Sequence, residues 1–221
     1  MFDGKFRQSV DATTAPIGRW LVRVGFSADV LTGSGLVFAG ATAWAIAEGM
    51  HLWAVVLLTL TGLHDLFDGP VAKASHRASQ RGSFFDSVSD RLADATLLGG
   101  VAFYLTAHGH GQLVLLPFAI LTATFLISYQ RSKAESLGLV AKGGLMERAE
   151  RMILLGVGLL ASAIFIPVLW IMLVLTSMTA GGRFWRVWHA AARPAPAPTS
   201  PVRVRRHRGR IRRRVPRASR H

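Results

Sequence analysis

Residues 65–94 read DLFDGPVAKASHRASQRGSFFDSVSDRLAD, and they hold five of the chain's twelve acids, Asp65, Asp68, Asp86, Asp90 and Asp94. Apolar stretches flank the segment, roughly 52–65 before it and 92–106 after it. The pattern predicts two helices joined by a short polar connection, Ala74 to Arg81, and therefore antiparallel. Asp65 and Asp68 stand i, i+3 and Asp86 and Asp90 stand i, i+4, so each pair shares one face of its helix. At 1.5 Å per residue, Asp68 lies about 9 Å from Ala74 and Asp86 about 8 Å from Arg81, with Asp65 and Asp90 about 14 Å along their helices. Four carboxylates are thus expected at matching depth.

The chain around this segment has 221 residues, 51% hydrophobic and 17% charged, which disfavours a water-soluble enzyme. With no Cys it has neither disulfides nor thiolate metal sites, so any metal must be held by carboxylates or His. Apolar runs recur at roughly 30–47, 52–65, 92–106, 113–129 and 152–178. The last is longer than the roughly 20 residues one span needs and contains Pro167, as two helices sharing a tight turn would. Six helices result, and charge placement tests that count. Connections one, three and five hold Glu48 and His51, then His108 and His110, then the Pro167 turn, without a Lys or Arg. Connections two and four hold Lys73, Arg77 and Arg81, then Arg131, Lys133, Lys142 and Arg148. All 26 cations fall on one side, which the positive-inside rule makes cytoplasmic, with both termini there in a plasma membrane.

The expected fold class is all-α and integral to the membrane: six transmembrane helices over 26–189, an amphipathic helix over 1–25 and a basic tail over 190–221. In the first 25 residues Phe2, Phe6, Val10, Ile17, Leu21 and Val24 recur at helical spacing with cations between them, as in a helix lying in the membrane interface. An ordinary surface helix is the plainer reading. The tail is Pro, Ala, Thr and Ser to Pro201 and then mostly Arg, with ten Arg and no acid between Arg203 and Arg220. It is expected to be unfolded and drawn to anionic lipid. Nucleic acid is a poor partner for it, since no aromatic residues are interleaved with the cations.

Carboxylates at membrane depth are costly and functional by default. Four converging within a few ångströms cannot all stay ionised without cations between them. Oxygen-only ligands suit Mg2+ or Mn2+, and a two-ion site suits displacement at phosphorus. Ion pairing with Arg77, Arg81 or Arg91 is the plainer explanation, but it would not require four acids in register. Gly69, Ala72 and Gly82, on the same helix ends, would let a flat ligand approach the backbone.

Together the residues read Asp65-x2-Asp68-Gly69-x2-Ala72-Lys73-x8-Gly82-x3-Asp86-x3-Asp90. This resembles the signature of the CDP-alcohol phosphotransferases, membrane enzymes that join a CDP-linked lipid to an alcohol. Lys73 stands where that family usually has Arg, keeping the charge and losing the bidentate fork. The resemblance implies a six-helix fold, usually dimeric, with Asp65, Asp68, Asp86 and Asp90 holding two metal ions and Asp90 serving as general base. It implies that Gly69, Ala72, Lys73 and Gly82 lie along the CDP moiety.

Two further stretches, 14–29 and 128–151, look like the actinobacterial phosphatidylinositol phosphate synthases, with Arg131 and Lys133 exchanged and Ala28 in place of Pro. That resemblance implies a pocket for the phosphate of inositol phosphate at Ser128, Arg131, Arg148, Arg151 and Arg183. Charge alone suits such a pocket, cations beside carboxylates taking a phosphomonoester, although topology also calls for cations in these loops. The expected reaction is CDP-diacylglycerol plus inositol phosphate giving phosphatidylinositol phosphate and CMP. Glycerol phosphate as the acceptor, a non-catalytic paralogue and a divalent-cation transporter are the alternatives.

Overall fold

The computed structural model describes residues 5–75, 79–141 and 143–192. Among them the chain is all-helical: α1 Lys5–Arg23, α2 Ala28–Ala47, α3 His51–Ala74, α4 Gln80–Ala107, α5 Leu115–Ser136, α6 Arg148–Leu160 and α7 Phe165–Ala191. Short 3-10 turns, Gly111–Val114 and Ser162–Ile164, precede α5 and α7. The expected tail beyond residue 192 lies outside the described residues.

Local chemistry explains where the helices start. Ser27 caps α2 by accepting from the Val30 amide at 3.3 Å, and Ser79 caps α4 by accepting from the Gly82 amide at 3.0 Å. The break in the long apolar run falls at Ala161–Ile164 rather than at Pro167, which lies in the first turn of α7. Proline is tolerated there because the first-turn N–H groups have no partner within the helix.

Four helical stretches, Ala28–Ala47, His51–Ala74, Gly111–Ser136 and Ser162–Ala191, are long and apolar enough to cross a membrane. α4 is long but interrupted by Asp86, Asp90, Arg91 and Asp94, and α6 has only 13 residues. Large apolar side chains cover the outside of the bundle, with Val37, Leu52 and Phe103 each more than 70% exposed. Apolar exposure on that scale suits lipid contact, and the chain is a multi-pass membrane protein.

The bundle is divided lengthwise. Its core joins the C-terminal halves of α2, α4 and α6 to the N-terminal halves of α3, α5 and α7, around Ile46, Leu58, Val101, Ile120, Leu159 and Phe165. Those halves share one end of the bundle. His51, Tyr104, His108 and Phe165 knit that end together, with Tyr104 ring centroids 4.1 Å from His108 and 5.6 Å from Phe165. The exposed His108 ring thus leans on Tyr104 at a tilt of 33°. The acids and arginines occupy the opposite end.

α2 is the spine, packed against both α3 and α4, while α3 and α4 make hardly any contact with each other. Small residues allow this closeness. A Cβ on Gly100 of α4 would lie 2.7 Å from the Ala43 Cα and 2.9 Å from its carbonyl carbon, inside backbone that cannot move aside. Gly100→Val is expected to lower stability by about 1–3 kcal/mol or more, read as an earlier unfolding midpoint in detergent. Gly99→Ala, where a Cβ meets nothing within 4 Å, is the control and should leave the midpoint unchanged or raise it.

Candidate active site

The acids lie on the last turns of α3 and the first turns of α4, and the splay between those helices opens a cleft rather than a packed interface. Asp65, Asp68, Asp86 and Asp90 all line one cavity of about 640 Å³. Asp68 and Asp86 face one another within hydrogen-bonding reach. The cavity continues between α3 and α6 past Leu58, Gly62, Met152, Gly156 and Leu160, an apolar groove leading from the carboxylates along the bundle. The four aspartates thus line one cavity, with α2 packed against both helices that carry them.

Two smaller hollows share these acids. One, of about 200 Å³, is lined by Gly69, Ala72 and Gly82 together with Asp68 and Asp86. Asp29 and Thr32 from the start of α2 and Ser79 and Ser83 from the start of α4 complete it. None of these four is singled out by spacing; Asp29 belongs to the resembling stretch 14–29, and the other three are marked only by nearness to helix N-termini. Lys73 is exposed at the end of α3 and is not among the lining residues of this hollow.

The other hollow, of about 120 Å³, brings together Ser128, Arg131, Arg148, Arg151 and Arg183, all five residues expected at a phosphate. Asp90, Arg91, Asp94 and Glu147 line it too. Arg183 is 2% exposed, and its guanidinium donates to the carbonyls of Ile127 at 3.1 Å and Gly143 at 3.3 Å and to Glu147 Oε1 at 3.2 Å. Thr179 Oγ1, one turn earlier on α7, accepts from the Met146 amide at 3.1 Å, and Arg186 donates to the Gly143 carbonyl at 2.6 Å. Helix α7 thereby straps the loop before α6. That strap fixes where Arg148 begins its helix, so Arg183 builds the wall of the hollow as well as lining it.

Arg148 reaches from α6 into the acids. Its guanidinium pairs with Asp90, stands 3.0 Å from Asp65 Oδ2 and has Nε 3.7 Å from Asp94 Oδ1. Asp65 Oδ2 is nonetheless buried without a hydrogen bond among the described residues, because the ion pair lacks hydrogen-bond geometry. His64, beside Asp65, turns back to the Leu60 carbonyl at 2.8 Å and packs near Phe38, so it is a helix-interior polar residue.

No three acidic or histidine side chains among the described residues are gathered into a ready-made metal cage, and Arg148 pairs with both Asp65 and Asp90. The donor set still fits a hard divalent ion. It is made of carboxylate oxygens only, Asp68 and Asp86 face each other, and Asp65 Oδ2 is left over.

The profile of the CDP-alcohol phosphatidyltransferase family matches residues 26–180. The phosphatidylinositol phosphate synthase of Streptomyces avermitilis is 36% identical over 143 residues, 63% of this chain and 58% of that enzyme. The archaetidylinositol phosphate synthase of Methanothermobacter thermautotrophicus is 36% identical over 145 residues, 66% of this chain and 72% of that one. Two crystal structures of Mycobacterium tuberculosis phosphatidylinositol phosphate synthase are also similar, both at 28% identity. The one with CDP-DAG bound has a TM-score of 0.73 and covers 83% of this chain and 98% of that chain. The one in complex with manganese and citrate has a TM-score of 0.74 and covers 82% and 93%.

Proposed function

Because the chain belongs to the CDP-alcohol phosphatidyltransferase family, we propose that its aspartate cleft transfers a phosphatidyl group from CDP-diacylglycerol to inositol phosphate. The products are phosphatidylinositol phosphate and CMP. The observation that carries this reading is the meeting of three cavities on one set of acids: Asp68 and Asp86 are shared with the hollow of small residues, and Asp90 and Arg148 with the basic one. A donor and an acceptor in adjoining cavities would therefore meet at the carboxylates.

The apolar groove between α3 and α6 suits the acyl chains, the hollow at Gly69, Ala72 and Gly82 suits the CDP moiety, and the five cationic and hydroxyl residues suit a phosphomonoester. Asp65, Asp68, Asp86 and Asp90 would hold two divalent ions, Mg2+ or Mn2+, which supply counter-charge to the phosphoryl oxygens and ease departure of CMP. Asp90 faces both the large cavity and the basic hollow, where it can take the proton of the acceptor hydroxyl. The hydroxyl oxygen then bonds to the phosphorus that carries the diacylglycerol. The bond from that phosphorus to the CMP oxygen breaks, and the proton stays on Asp90. Arg148 and Arg151 orient the acceptor by its phosphate.

The six helices α2–α7 are read as spans of the plasma membrane with both termini cytoplasmic, supported by the gathering of cations at the end of the bundle that holds the acids. The domain limits stay 1–25, 26–189 and 190–221. Ile17 and Trp20 of α1 and Val24 just after it are exposed, as an interfacial helix requires, and Gly18 lets α1 lie close on Pro70 of α3. A homodimer is the proposed assembly.

An acceptor screen tests the reading: purified protein, radiolabelled CDP-diacylglycerol, Mn2+ and a panel of alcohols. Inositol phosphate should give labelled phosphatidylinositol phosphate and stoichiometric CMP. Use of glycerol phosphate in its place would overturn the acceptor, and no transfer to any alcohol would favour a non-catalytic paralogue. Lys73 does not line the hollow of small residues but follows Ala72, which does; if it reaches the diphosphate from the rim, Lys73→Arg should keep or raise the rate by supplying a bidentate fork. Complete loss would show that the nucleotide lies elsewhere.

A further inference from the structure

Asp94 continues the series of Asp86 and Asp90 by one more helical turn. It does not line the large cavity with the other four acids, and it opens into the basic hollow instead. At 9% exposed it is buried where the others are half-buried. Its oxygens are already committed. Oδ2 accepts from Arg151 Nη2 at 2.7 Å, and Oδ1 lies 3.7 Å from Arg148 Nε. Arg151, 7% exposed, is held on a second side by the Met146 carbonyl, 3.4 Å from Nη1. Asp65 and Asp90 also meet the Arg148 guanidinium, but they open into the large cavity where an ion could reach them, whereas Asp94 lies outside that cavity with one oxygen hydrogen-bonded to Arg151.

We propose that Asp94 is a positioning residue for acceptor recognition. It anchors Arg151, and steers Arg148, so that their remaining N–H groups stay in the hollow that receives the acceptor's phosphate. The proposal rests on the reading of that hollow given above. Arg91, Arg131, Arg148, Arg151 and Arg183 line a space of only about 120 Å³. Like charges so confined repel, and a buried carboxylate behind two of them offsets the repulsion while fixing their rotamers. Without it Arg151 would turn away from the hollow or be left as an uncompensated charge.

Wild type and Asp94→Asn, purified in detergent, are compared by initial-rate kinetics over inositol phosphate and CDP-diacylglycerol, and by Mn2+ titration followed by electron paramagnetic resonance. The acceptor KM is expected to rise at least tenfold, with kcat and the donor KM within threefold and Mn2+ affinity within twofold of wild type. A tenfold loss of Mn2+ affinity would make Asp94 a metal ligand and overturn the proposal. An unchanged acceptor KM would overturn it as well. Should Asp94→Asn fail to fold, because Arg151 is left buried and unpaired, Asp94→Asn/Arg151→Gln is compared with Arg151→Gln alone. Equal acceptor KM values in those two support Arg151 as the residue through which Asp94 acts, and a further tenfold rise in the double variant refutes that anchoring of Arg151. The acceptor assignment fails separately. A wild type that uses glycerol phosphate and not inositol phosphate removes that assignment alone, and the same comparison of KM values is then read with glycerol phosphate.

Discussion

Asp90→Asn should reduce CMP release by about a thousandfold or more while CDP-diacylglycerol still binds. The side chain is nearly isosteric, so the cleft keeps its shape, but an amide cannot accept the hydroxyl proton. Loss of a positioned general base costs on the order of 10²–10⁴ in rate. Asp90 also counts among the four carboxylates that would hold the ions, so its substitution removes ligand charge as well. Its location suits both duties, because it lines the large cavity and the basic hollow together. The check is single-turnover release of labelled CMP beside equilibrium binding of labelled CDP-diacylglycerol. Turnover retained within tenfold would refute the base assignment.

Arg148→Ala should be the second largest lesion and should differ in kind. The guanidinium bridges Asp65 and Asp90 from α6, and its side chain is only 18% exposed. Truncating one partner of a largely buried charge pair costs about 2–5 kcal/mol, which corresponds to roughly 30-fold to several thousandfold in kcat/KM for the acceptor. Arg148→Lys should recover only part of this, because a point charge cannot reach two carboxylates in the manner of a planar fork. Metal binding separates the two variants. Arg148 and a divalent ion compete for the same oxygens, so Arg148→Ala should bind Mn2+ as tightly as wild type or more tightly, whereas Asp90→Asn should bind it more weakly. Mn2+ affinity lost in Arg148→Ala would contradict the competition.

What could be read from the sequence was local. The i, i+3 and i, i+4 spacings of Asp65, Asp68, Asp86 and Asp90 place the acids on helix faces without any tertiary information, and the distribution of cations orders the helices by side. The break before α7 falls ahead of Pro167 rather than at it, because a proline's missing N–H costs nothing in a first helical turn. Long-range relations were not legible. Nothing in the spacing shows that α3 and α4 lean on α2 rather than on each other, which is why the acids line a cleft. Arg151 meets Asp94 across 57 residues, and Arg183 meets Ile127 across 56. Pairings at that separation depend on helix packing that composition does not encode. Asp94 is legible as an acid, but only its burial outside the large cavity and its hydrogen bond from Arg151 distinguish it from the other four.

The cleft itself is tested most directly by Mn2+ binding to the purified chain without substrates, followed by electron paramagnetic resonance. Two saturable, spin-coupled ions per chain are expected, with affinity at least tenfold weaker in Asp68→Asn and in Asp86→Asn and unchanged in Arg131→Ala. Stoichiometric Mn2+ binding that survives both aspartate substitutions would contradict a metal site between α3 and α4.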